Sequence, residues 1–275
     1  MGFSWKLGRV SGIDLFLHPT FLLLLAWVGL THQSGLLNVL LVSAVFGCVL
    51  LHELGHALTA RRFGIRTLDI TLYPIGGVAR LERMPRNPGA EFLIALAGPA
   101  VNLAIAAGLG GLAFLTGAWE PGAYLTLADR FVSSLISFNL ILALFNLVPA
   151  FPMDGGRVLR ALLSGWLGRL RATEIAAQVG QMLALAFGAY CLLVQWMPLQ
   201  ALLAAFIYFA ARGELAHVRF EEEERMRRKR DADMGMWFAP AGHVWVNRGS
   251  GQWELTPISL VGDRFGGGER VRSWC

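Results

Sequence analysis

The sequence predicts an all-α integral membrane protein: six transmembrane helices with a short β-hairpin or re-entrant loop between the second and third. Three observations lead there. Of 275 residues, 55% are hydrophobic and only 16% charged, and the mean hydropathy of +0.52 is too high for an ordinary soluble domain. The apolar residues gather into six stretches, 13–31, 36–60, 90–115, 131–152, 174–195 and 197–213, each reaching or approaching the roughly 20 residues that cross a bilayer. The basic residues then fall almost entirely to one side of those spans.

The first stretch, IDLFLHPTFLLLLAWVGL, carries His18 and Pro19 and is followed by THQSG instead of a small-residue cleavage site. It reads as a retained first helix, not a leader. Between the second and third stretches, apolar and polar residues alternate from Ile70 to Leu81, interrupted by Pro74 and the pair Gly76-Gly77. That alternation predicts extended chain. After the sixth stretch, Glu221, Glu223 and Glu224 stand four residues before Arg225, Arg227 and Arg228, the spacing of a solvated helix over 214–234. The membrane domain therefore covers 1–213, and 235–275 forms a short tail. Its runs around Arg248-Gly249-Ser250-Gly251 suggest a β-hairpin, and it holds Trp237, Trp245, Trp253 and Trp274.

Charge placement sets the topology. Lys6 and Arg9 precede the first span, six arginines (61, 62, 66, 80, 83, 86) lie between the second and third, four (157, 160, 169, 171) between the fourth and fifth, and eleven basic residues follow from Arg212. Only Arg130 falls on the opposite side. The positive-inside rule then places both termini in the cytoplasm of a multi-pass cell-membrane protein. The net charge of +5 reflects that topology and implies no nucleic acid partner. Cys48, Cys191 and Cys275 are odd in number and far apart, which excludes a disulfide scaffold. Scarce lysine beside abundant Arg, Ala, Leu and Gly points to a GC-rich prokaryotic source.

Within the second stretch, His52-Glu53-Leu54-Gly55-His56 is HExxH. On a helix, residues i and i+4 share a face, so both imidazoles can ligate one zinc ion while Glu53 stands one step round, beside a bound water. Ionisable groups in a membrane helix are costly and serve function by default. Catalytic zinc takes three protein ligands. The other histidines, 18, 32, 217 and 243, compete for the third place with Asp14, Asp69, Glu82, Glu91 and Asp154. Asp154 stands out by context: in FNLVPAFPMDGGRVLRALL, Pro149 and Pro152 break the cytoplasmic end of the fourth span and leave backbone groups free. Such backbone is tolerated at membrane depth only where protein or a cavity surrounds it. Cys48, one turn before His52, reads as a small packing residue.

HELGH at 52–56, AGPAVN at 97–102 and NLVPAFPMDGG at 146–156, with HPTF at 18–21, resemble the site-2 proteases, intramembrane zinc metalloproteases of the M50 class. The resemblance spans about 12–213. It implies one Zn2+ per chain held by His52, His56 and Asp154, with Glu53 as general base. It further implies single-span membrane proteins as substrates, cut in or near their transmembrane segments in regulated intramembrane proteolysis. No PDZ-like insertion or pair of CBS domains is expected in this chain.

Asn146, an uncharged donor at the broken end of the fourth span, could stabilise an oxyanion or hold substrate backbone, and an interhelical hydrogen bond fits it equally. Asn139, seven residues earlier, reads as a packing residue. Gly98-Pro99 would let the third helix kink and approach the site. Asn102 would bond to its neighbours and stands with Gly76 and Gly77 among the candidates for substrate contact, the glycines admitting a substrate strand against the 70–81 edge. Two other classes compete. A divalent-cation transporter could use His52, His56 and Asp154 as transit ligands, and a prenyl-protein type metalloprotease shares HExxH but draws its third ligand from a downstream helical Glu.

Overall fold

The computed structural model describes residues 4–31, 35–74, 76–83, 85–117, 126–235, 241–247 and 253–257. His32, Trp237, Trp274, Cys275 and the 248–251 turn lie outside the described residues. The chain divides into two compact units, 1–216 and 217–275.

Five of the described helices are long and apolar enough to cross a membrane: α2 (Gly35–Arg62), α3 (Pro88–Leu115), α4 (Leu127–Asn146), α6 (Arg169–Leu193) and α7 (Pro198–Gly235), the last over Pro198–Arg230. The expected first span is different. Residues Ile13–Leu17 form a β-strand, and helix α1 covers only Pro19–Thr31. At 13 residues it is roughly 20 Å long, short of a hydrocarbon core of about 30 Å. IDLFL alternates in burial, with Ile13, Leu15 and Leu17 buried, and Pro19 can start a helix because its missing N–H has no partner to lose there.

That strand belongs to a four-stranded sheet of order β1-β2-β3-β4: β1 (Trp5–Val10), β2 (Ile13–Leu17), β3 (Thr67–Tyr73) and β4 (Gly76–Leu81). β1 pairs antiparallel with β2, β2 parallel with β3, and β3 antiparallel with β4. The 70–81 segment is thus half of a larger sheet completed by the N-terminal residues. Its register is marked by one charged row, Arg9–Asp14–Asp69–Arg80, in which each residue faces the next on the neighbouring strand. Arg80 closes one end on Asp69; Lys6 closes the other on Asp14 at 2.8 Å and holds that carboxyl below its ordinary pKa. On the alternate face, Ile13, Leu15 and Ile70 pack on Leu54 and Ala57 of α2.

The helices meet through small residues, as membrane helices do when backbone approach replaces the hydrophobic effect as the driving force. A Cβ on Gly55 of α2 would lie 2.9 Å from the Ala97 carbonyl oxygen of α3. Ala176 and Ala177 of α6, with Ala211 of α7, enclose Phe151.

The largest departure from expectation follows α4. Residues 147–153 form a tight non-helical segment, and then a helix, α5 (Asp154–Leu167), begins where a cytoplasmic loop is expected. Gly155 and Gly156 make this junction fit: a Cβ on Gly156 would sit 2.6 Å from the Phe151 amide nitrogen, and one on Gly155 would strike the Leu147 and Val148 carbonyl oxygens. α4 and α5 lie in succession along α3 and run against it. Asn102 meets Asn139, Glu91 meets Arg160, and Pro85 O accepts from Arg169.

Arg160, 1% exposed, bonds Glu91 of α3 at 2.6 Å and Glu214 of α7 at 2.8 Å, and its guanidinium lies 4.9 Å from the centre of the Phe151 ring. One cation thereby ties α3, α5 and α7 to the segment preceding Asp154.

In the second unit, α7 continues with Glu224 and Arg228 paired at 3.3 Å. β5 (His243–Asn247) and β6 (Trp253–Pro257) pair antiparallel.

Replacing Arg160 by Met leaves the buried Glu91 carboxylate without this cation and is expected to cost about 3–5 kcal/mol. Thermal unfolding in detergent would show a lowered midpoint; an unchanged midpoint would contradict the tie.

Candidate metal centre

His52 and His56 lie on one face of α2 by helical spacing, and Asp154 arrives as the first residue of α5. All three are buried, at 4%, 7% and 8% exposure. His52 Nε2 is 3.1 Å from His56 Nε2, and Asp154 Oδ2 is 3.2 Å from the first and 3.1 Å from the second. Among the described residues this is the group of His, Cys, Asp and Glu side chains that could hold a metal ion.

The outer nitrogens decide the protonation. His56 Nδ1 lies 2.6 Å from the Ile94 carbonyl oxygen, which can only accept, so Nδ1 carries the hydrogen. His52 Nδ1 lies 2.5 Å from Asn102 Oδ1. The orientation of that amide is fixed further out: Asn139 Nδ2 donates to the Leu135 carbonyl at 2.8 Å, and Asn102 Nδ2 donates to Asn139 Oδ1 at 2.7 Å. Asn102 therefore presents oxygen to His52, whose hydrogen also sits on Nδ1. In the neutral rings both Nε2 atoms are left as bare lone pairs, facing each other and a carboxylate oxygen.

Three donor atoms converging without a hydrogen among them repel unless a cation lies between. A tetrahedral zinc ion with bonds of about 2.0–2.1 Å sets its ligand atoms roughly 3.3 Å apart, close to the triangle observed. Two imidazoles and a carboxylate are also the donor set of an open zinc site with a fourth position to spare. The residues present fit the metal.

Two glycines allow the approach of neighbouring elements. A Cβ on Gly98 of α3 would overlap the His56 ring and come 2.7 Å from His52 Cε1. A Cβ on Gly77 of β4 would lie 2.8 Å from Glu53 Cγ and 3.4 Å from Val49 Cγ1. The start of β4 thus lies against α2 at the level of Glu53.

The remaining candidates separate. Asn102 has no exposed surface and both its amide atoms are bonded within the protein; it backs His52, in line with the neighbour bonding expected of it. Asn146 gives Nδ2 to Leu142 O, one turn back in its own helix, at 3.0 Å. Asn139 is not a packing residue alone, since it orients Asn102.

The family model of peptidase family M50 matches residues 40–128 and 120–187, which together cover more than half of the chain and include the cluster. The chain belongs to peptidase family M50. It is 36% identical over 233 residues to a zinc metalloprotease of Methanocaldococcus jannaschii, covering 80% of this chain and 63% of that protein. It is 30% identical over 200 residues to stage IV sporulation protein FB of Bacillus subtilis, covering 72% of this chain and 62% of that one. The chain thus spans less than two thirds of the length of these curated relatives. Among solved structures, it is similar to the site-2 protease from Methanocaldococcus jannaschii, at 36% identity and a TM-score of 0.57, over 78% of this chain and 95% of that one. This M50 chain carries its HExxH motif on one of the five described helices long and apolar enough to cross a membrane.

In Gly98→Ala the added methyl has no room beside the two imidazoles, and such overpacking costs about 1–3 kcal/mol. Zinc affinity measured by chelator competition is expected to fall about tenfold or more. Wild-type affinity would show that α3 does not constrain the pair.

Proposed function

We propose that this chain is an intramembrane zinc metalloendopeptidase that hydrolyses peptide bonds in or near the transmembrane segments of single-span membrane proteins. The observation that carries the proposal is the buried triangle of His52 Nε2, His56 Nε2 and Asp154 Oδ2, its two histidines on a helix of membrane-spanning character with Glu53 between them in sequence. In this reading His52, His56 and Asp154 hold a single zinc ion. Bound there, zinc supplies Lewis acidity, lowering the pKa of a water toward neutrality and polarising a carbonyl.

The chain's own groups do the rest. Glu53 takes a proton from the attacking water as its oxygen bonds to the scissile carbonyl carbon. The same carboxyl returns that proton to the nitrogen as the carbon–nitrogen bond breaks, so one group serves as base and then acid. Asn146, half-buried, keeps a second amide hydrogen that can hold the substrate backbone or the developing oxyanion.

A transmembrane helix hides its peptide bonds, so the substrate must be unwound before it is cut. The edge of β4 can hold the unwound chain. β3 occupies its other side, and an extended segment can add to the free edge by main-chain hydrogen bonds. Gly76 and Gly77 keep that strand thin beside Glu53.

The excess of basic residues supports a cytoplasmic side for the sheet and both termini, and since β2 pairs with β3, α1 and α2 together leave that side and return to it. Gly98 lies ten residues along α3 from Pro88, which sets the cluster roughly 15 Å from the start of that helix. Water would reach the site from that side.

Incubation of purified protein with a panel of single-span substrates tests the reading. Glu53→Gln is expected to lower cleavage by about 10²- to 10⁴-fold with zinc content unchanged, while Asp154→Ala loses the metal. Equal cleavage by Glu53→Gln and wild type would refute the mechanism. A cation transporter would instead keep moving ions with Gln at 53, a result that would favour the competing class.

A further inference from the structure

We propose that Asn139, on α4, is a positioning residue for the metal: acting through Asn102, it sets which nitrogen of His52 carries the hydrogen and so leaves Nε2 free toward the cluster. The inference rests on His52 being a zinc ligand and adds a residue to that site from a third helix.

The argument is directional. Leu135 O is a backbone carbonyl and can only accept, so the group that Asn139 turns toward it at 2.8 Å is its NH2. Asn139 Oδ1 then faces Asn102, which must offer its own NH2 at 2.7 Å. Asn102 Oδ1 remains for His52 Nδ1 at 2.5 Å. Each amide fixes the next, and the hydrogens run one way, from His52 on α2 through Asn102 on α3 to Asn139 and Leu135 on α4.

The reverse orientation fails at its last step. With both amides flipped, Asn139 Oδ1 would face the Leu135 oxygen, two acceptors at hydrogen-bond distance with no hydrogen. Both asparagines have no exposed surface, so no water repairs the mismatch, and an unsatisfied buried polar group costs about 1–3 kcal/mol. A flipped Asn102 would present NH2 to His52 and draw the ring hydrogen to Nε2, where it blocks metal binding. His56 needs no such relay, because a backbone carbonyl orients it directly. The two ligands are thus set by different means, and His52 alone depends on side chains of two other helices.

Outer partners of zinc-bound histidines contribute about 10- to 100-fold in metal affinity. Two measurements on the full chain in detergent test the relay: zinc affinity by chelator competition with zinc alone, and the 15N spectrum of histidine in the metal-free protein. Wild type is expected to bind one zinc and to show neutral His52 with its hydrogen on Nδ1. Asn139→Leu, similar in size but without an acceptor, is expected to bind zinc about tenfold more weakly and to show a His52 signal shifted toward the Nε2–H form. Asn139→Asp, whose buried carboxyl is expected to stay protonated and to donate its hydroxyl to the Leu135 carbonyl, keeps an oxygen facing Asn102 and is expected to restore both readouts.

A folded Asn139→Leu with wild-type affinity and an unchanged His52 signal overturns the proposal. So does a wild-type spectrum with the hydrogen on Nε2, even if the Leu variant does not fold. Wild-type protein that binds no zinc would overturn the zinc reading itself, while the tautomer spectrum still decides the relay.

Discussion

The structure turns on a repulsion. Two imidazole nitrogens and a carboxylate oxygen are held about 3 Å apart in a buried place, and with both rings neutral nothing within the triangle carries a hydrogen. Left alone, such a group would spread or protonate. Here it is held from outside, by the Ile94 carbonyl, by the Asn102–Asn139 pair, and by the junction that delivers Asp154. Much of the surrounding architecture can be understood as what it takes to keep three donors in place for a cation.

Close backbone approach is the means. Gly55 and Gly98 bring α2 and α3 together behind the histidines, and Gly155 and Gly156 fold the 147–153 segment against the start of α5. Arg160 then ties that segment to α3 and α7 through a buried ion pair and a ring contact. Small residues at such contacts are what membrane helices use where lipid offers no hydrophobic drive to association. The same residues that stabilise the bundle therefore fix the ligand geometry, and a methyl group added at Gly98 disturbs both.

HExxH was legible because helical spacing alone places two side chains on one face, and Asp154 because two prolines mark a break no buried helix tolerates without cause. Less local features were not. IDLFL merges into an apolar run, so its strand-like alternation is hidden until β3 supplies the neighbour that makes it a sheet. DGGRVLRALLSGWL reads as loop because of its arginines, yet Arg160 finds carboxylates 69 and 54 residues away in sequence. Asn102 could be expected to make hydrogen bonds, but its partner His52 lies 50 residues back, and the carbonyl of Ile94 has no sequence signature at all.

The central claim is that the donors are two imidazoles and one carboxylate around one zinc ion. X-ray absorption at the zinc edge on the purified, zinc-loaded chain reads this directly. The account predicts only nitrogen and oxygen neighbours, at about 2.0–2.1 Å, with the outer scattering of two imidazole rings. A sulfur neighbour near 2.3 Å, which Cys48 one turn before His52 would supply, or the scattering of a single imidazole, would contradict it.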